Sequence, residues 1–199
     1  MLHGTFASKI GRAIKKQLHN LKKDQVEMRS FIEKIRLQKG AMFFEEGGQK
    51  FRHEPDMSFR HQNALWPGIV IEVAYSQKRK SLVKLANNYI LNSDGGIGVF
   101  VGIELIYAES KEAGISTWRL KLTPGKDGEP AVAEVFQELN NELFRDAEGN
   151  PISYSPGLKL PLNDFALQSM SEGLPECSVI VDAEKLCTKL SKAEAEEEK

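Results

Sequence analysis

Two carboxylates in this chain stand where an apolar setting makes a charge costly. Asp56 follows Pro55 ahead of the short run Met57-Ser-Phe59, and sixteen residues later Glu72 interrupts Gly68-Ile-Val-Ile-Glu-Val-Ala74. An ionised carboxylate among apolar neighbours carries a desolvation penalty that only a cation or hydrogen bonds offset. Glu72 is therefore either structurally paired or a metal ligand. With an Asp nearby and oxygen donors at hand, the cation that fits is Mg²⁺ or Mn²⁺.

Other chemistries find less support. Gly95-Gly96-Ile97-Gly98 leads into a strand-like run, whereas a dinucleotide-binding fingerprint opens a helix. Ser76 has no Gly-x-Ser-x-Gly surround, and His53, Asp56 and His61 do not have zinc-ligand spacing. Arg60 and His61 lie close enough in sequence to Asp56 to reach a phosphate, but solvated loop residues are the simpler expectation. Cys177 and Cys187 form neither a metal-type pair nor a disulfide framework. They point to reduced thiols in an intracellular protein, of nucleus or cytoplasm.

Pro55-Asp56, a hydrophobic strand carrying Glu72, and the amphipathic stretch Lys78 to Leu91 follow one another in an order that resembles the PD-(D/E)XK (restriction-endonuclease-like) nuclease superfamily. The segment Pro67-Gly-Ile-Val-Ile-Glu-Val-Ala-Tyr-Ser-Gln77, with Leu82, Ala86, Tyr89-Ile90 and Gly102-Ile-Glu-Leu-Ile-Tyr107, is similar to a branch of it widespread in fungi. The likeness spans roughly residues 41–119. It implies an α/β fold, with a mixed central sheet flanked by helices and additional C-terminal strands and helix. It also implies metal-dependent phosphodiester hydrolysis on nucleic acid, DNA being the expected partner, in a fold that often works as a homodimer. Asp56, Glu72 and the Val73 carbonyl would be the metal ligands, with Glu45, Glu46 or Glu27 as outer contributors. The superfamily's Lys two residues after the Glu falls on Ala74, which has no charge to offer. Lys84 on the following helix is the expected substitute, with Lys80 second and Gln77 a polar, uncharged third. The alternative is a decayed scaffold that binds a partner or nucleic acid without cutting.

The elements that must position these groups follow from periodicity. Phe6, Ile10, Ile14, Leu18 and Leu21 recur at helical spacing, with Lys9, Arg12, Lys15, Lys16, Lys22 and Lys23 between them. Residues 1–23 therefore read as a basic amphipathic helix or arm. Its uses are docking on the body, holding a nucleic-acid backbone or acidic lipid, or mitochondrial targeting. Up to Gly40 the chain has ten Lys and Arg against three Asp and Glu, although its total charge is only −1. Asp24 with Glu27 resembles a capping box and predicts a helix to Gln38. Residues 24–190 then form a single domain, and 191–199 a fraying charged tail.

A hairpin is expected around Gly47-Gly48, a buried strand over Ile69 to Tyr75, a helix over Lys78 to Leu91 and a second buried strand over Ile97 to Tyr107. Shorter strands follow at Thr117–Leu122, Val132–Leu139, Glu142–Arg145 and Leu158–Leu162, and Asp182 caps a last helix. No run is long and apolar enough to span a membrane.

Overall fold

The computed structural model describes residues 2–24, 26–46, 48–75, 79–106, 110–125 and 129–198. The chain is a mixed α/β protein built on a six-stranded sheet. Helix α1 (Leu2–Asp24) comes first, then a 3₁₀ turn (Val26–Met28), the short helix α2 (Arg29–Ile32) and strand β1 (Ile35–Gln38). The hairpin β2 (Met42–Glu46) and β3 (Gln49–His53) precedes β4 (Met57–His61), β5 (Ile69–Tyr75), helix α3 (Arg79–Leu91) and β6 (Val99–Leu105). Strands β7 (Ala113–Thr123) and β8 (Val132–Arg145) complete the sheet. The C-terminal part adds β9 (Leu158–Pro161), a 3₁₀ turn (Leu162–Phe165), helix α4 (Gln168–Ser171), β10 (Ser178–Val181) and helix α5 (Ala183–Glu197).

The sheet order is β1-β4-β5-β6-β7-β8. Only β5 and β6 run parallel; the other neighbours are antiparallel. Helices on both faces of a sheet need its strands to be apolar on both sides, which explains the unbroken runs in β5 and β6. Alternation then sorts the side chains. Ile69, Ile71 and Val73 pack with α1 in the core that α5 also enters, whereas Val70 shares the other core with Leu82, Ala86 and Tyr89 of α3. The first face also takes β9 and β10; the second takes the hairpin through Phe44 and Phe51.

Residues 24–38 correct the expectation of one long helix. Asp24 belongs to α1, and Ile35 to Gln38 instead pair with His61 to Ser58 of β4. A tertiary pairing outweighs the local helical signal here. Helix α1 is likewise no detached arm. Leu2, Phe6, Ile10, Ile14 and Leu18 are buried in the main core. Gly11 lies so close to the sheet that a Cβ there would meet Leu37 Cδ2 and Met57 Sδ at 3.1 Å.

Residues 191–197 continue helix α5. Ala193 is buried, and Glu194 receives two hydrogen bonds, 2.8 and 2.9 Å, from the buried Arg145 guanidinium. Arg145 and α5 are thereby tied across the first face. Strand β10 was not expected from the sequence, and β8 unites two expected strands into one. Asp182 caps α5 as expected, its carboxylate accepting from the Lys185 N–H at 2.8 Å. Among the described residues no helix is long and apolar enough to cross a membrane.

Candidate functional site

The register brings Asp56 and Glu72 together. Met57 pairs with Ile71, so the antiparallel count places Asp56 opposite Glu72 and Pro55 opposite Val73. Proline has no N–H and cannot continue the ladder. Strand β5 therefore runs on past the end of β4, while its other edge stays paired with β6 through Tyr75. Asp56 fills the gap, its Oδ2 accepting from the Val73 N–H at 2.9 Å. In extended backbone a residue's N–H and C=O face the same edge. The Val73 carbonyl accordingly faces the side where Asp56 stands.

Glu72 points to the other face of the sheet from Ile71 and Val73, beneath α3. Its Oε1 accepts from the Tyr89 hydroxyl at 3.1 Å. Burial, and then the negative charge of Asp56, push the Glu72 carboxyl up to about 7; the Tyr89 hydrogen bond works against both. The Tyr89 phenol is itself held well above its ordinary range by burial and by Glu72. Gly102, the partner of Glu72 on β6, leaves the room that α3 needs: a Cβ there would meet Leu82 Cδ1 and Trp118 Cζ3 at 3.0 Å.

Periodicity puts Tyr89 on the inward face of α3 but gives it no part in the site. A phenol there requires a partner. Phe44 meets it edge-on at 5.8 Å between ring centroids, Phe100 stacks on it at 5.6 Å, and His53 lies at 5.2 Å. These rings fix where its hydroxyl points. His53 Nε2 is buried and has no hydrogen-bond partner among the described residues, and burial holds this imidazole below its ordinary pKa. A third carboxylate, Glu104, is buried on the same face and pairs in register with Ala74. Its signal in the sequence is the one that marks Glu72, a charge inside an apolar strand.

Lys84 is not brought to this pair. It is exposed, and at 100° per residue it sits about 140° around α3 from Tyr89. The inward arc is taken by Leu82, Ala86, Tyr89 and Ile90, so a lysine at this position faces solvent. Glu45 is also exposed, opposite Lys50 in the hairpin. Gln77 and the side chains of Glu27, Glu46 and Lys80 lie outside the described residues. His61 is buried on the α1 face, stacked on Phe31 at 5.2 Å, and so is separated by the sheet from His53. The basic residues of α1 are on that first face too. Arg12, Lys15, Lys16 and Lys23 are exposed, while Lys9 pairs with Glu196 at 2.6 Å and Lys22 with Glu33 at 2.7 Å.

Among the described residues no three His, Cys, Asp or Glu side chains gather into a metal cage. The donors at the pair are all oxygens, and Glu72 also interacts with the backbone N–H and side chain of Asp56. Such a set fits a hard divalent cation that retains several waters, as Mg²⁺ does. Compared with known proteins, the chain matches no family model and no curated protein.

Proposed function

We propose that Asp56 and Glu72 form a divalent-cation site for phosphodiester hydrolysis on nucleic acid, on a PD-(D/E)XK-like scaffold. One observation carries this reading: a carboxylate raised first by burial and then by a second carboxylate beside it stands at the point where two strands part. That arrangement is costly without a cation. The order of a helix before the sheet, an Asp just ahead of one strand and a Glu within the next, and a helix after the Glu supports the resemblance.

Asp56, Glu72 and the Val73 carbonyl would hold Mg²⁺ or Mn²⁺. A bound cation of this kind would supply a nucleophilic water and stabilise phosphoryl charge. The protein's own contributions are positional. Val73 N–H orients Asp56, and Tyr89, held among Phe44, Phe100 and His53, orients Glu72. The alternative, a non-catalytic scaffold, is favoured by the solvent-facing position of Lys84 and by Ala74. Among the described residues no Lys or Arg contributes to the environment of Glu72.

Thermal unfolding in EDTA and in Mg²⁺ or Mn²⁺ separates the two. The wild type is expected to gain stability by about 2.7 kcal/mol at a cation concentration of 100 times Kd. Asp56→Ala and Glu72→Ala should lose that gain and any cation-dependent cleavage of a labelled DNA strand. Cleavage at wild-type level in both variants would sink the site. A cation-dependent shift without cleavage would leave a binding scaffold.

A further inference from the structure

Lys9, Arg12 and Lys16 succeed one another at intervals of three and four along α1; Lys185, Lys189 and Lys192 do so at four and three along α5. Each set is one stripe of its helix. The helices pack together through Ile10, Ile14, Leu186 and Leu190, so the stripes border the same apolar seam. All of these cations but Lys16 line a groove of about 480 Å³, and a second of about 470 Å³ shares Lys185 and Lys189 with it and takes in Lys16 and Asn20.

Only part of this charge is matched. Lys9 pairs with Glu196, and Lys185 with Asp182 at 2.6 Å; Glu184 also lines the first groove. Arg12, Lys16, Lys189 and Lys192 form no ion pair among the described residues. Burial, followed by Lys192, Lys9, Arg12 and Lys16, holds Lys189 below its ordinary pKa. Cations converging from two helices repel one another, and an anion between them would remove the repulsion. The described walls include no aromatic ring on which a base would stack. Recognition there would be of charge and not of sequence.

We propose that the α1–α5 groove binds a chain of phosphates, the chemistry shared by a nucleic-acid backbone and inorganic polyphosphate. The sheet separates it from Asp56 and Glu72, so it is a second site and does not depend on the catalytic reading. Full-length protein in EDTA, titrated into a labelled single DNA strand and competed with inorganic polyphosphate, tests it. Four neutralised phosphates predict a log–log salt slope of about −3 for a single strand. Charge reversal in R12E/K189E should weaken whichever probe binds by about tenfold or more, and R12Q/K189Q should flatten the slope. Asp56→Ala should bind as wild type. DNA binding displaced by polyphosphate, or binding of polyphosphate alone, upholds the site and names its source. A folded R12Q/K189Q protein with wild-type affinity and slope for both probes overturns it, as does the absence of binding by either probe at low salt. Loss of cleavage in Asp56→Ala with retained binding in EDTA distinguishes the two sites.

Discussion

A chain beginning at residue 24 is expected not to fold. Leu2, Phe6, Ile10, Ile14 and Leu18 are buried against β4, β5, β10 and α5. At about 1.5–3 kcal/mol for each fully buried side chain, the five contribute on the order of 10 kcal/mol. That is comparable to the entire stability of an ordinary domain, about 5–15 kcal/mol. Removing the helix would also uncover Met57, Ile71 and Val73, the apolar underside of the strands that carry the carboxylates. Circular dichroism and thermal unfolding of residues 24–199 should show no cooperative transition. A sharp transition near the wild-type temperature would mean that α1 is an appendage after all. The same result governs how its lysines are tested: their charges must be changed in place, because deletion removes the core along with them.

The residues of α1 show why the sequence left this open. Its apolar stripe and basic remainder suit both a docked helix and a free arm, and what decides is the stripe on α5 that it meets. The β5–α3–β6 unit was legible because two continuous apolar strands around an amphipathic helix leave few ways to bury both faces. The hairpin was legible from Gly47-Gly48, and the last helix from its Asp182 cap. Strand β1 was not, because Ile35 and Leu37 gain their meaning only from pairing with His61 and Phe59. The four-residue β10 depends in the same way on β9. At the site, Asp56 and Glu72 stand out as charges against an apolar background. Tyr89 reaches that place through packing, and Lys185, Lys189 and Lys192 join the α1 charges only because two helices distant in sequence lie side by side. Lys84 failed for a related reason: sequence proximity to Glu72 says little about which side of a helix a residue takes.

Glu72→Gln is expected to stabilise the cation-free protein in a pH-dependent way. In the fold the Glu72 carboxyl is raised from an ordinary 4.5 to about 7. The native state therefore holds a proton that the unfolded chain releases between those values, and stability falls as pH rises through that window. Below about pH 4.5 wild type and variant should match. Above pH 7 the wild type bears the whole penalty, about 3 kcal/mol for a shift of this size. Glutamine keeps an oxygen to accept from Tyr89 but bears no charge beside Asp56. In EDTA, Glu72→Gln should thus unfold several degrees above wild type at pH 8 and alongside it at pH 4.5. An equal difference at both pH values would place the effect in packing and remove the buried charge from the account. Adding Mg²⁺ at pH 8 completes the argument. If the pair holds the cation, wild type should recover much of the deficit while Glu72→Gln moves little. If the deficit persists in Mg²⁺, the strained carboxylates are not compensated by metal, and the cation site fails even though the buried charge is real.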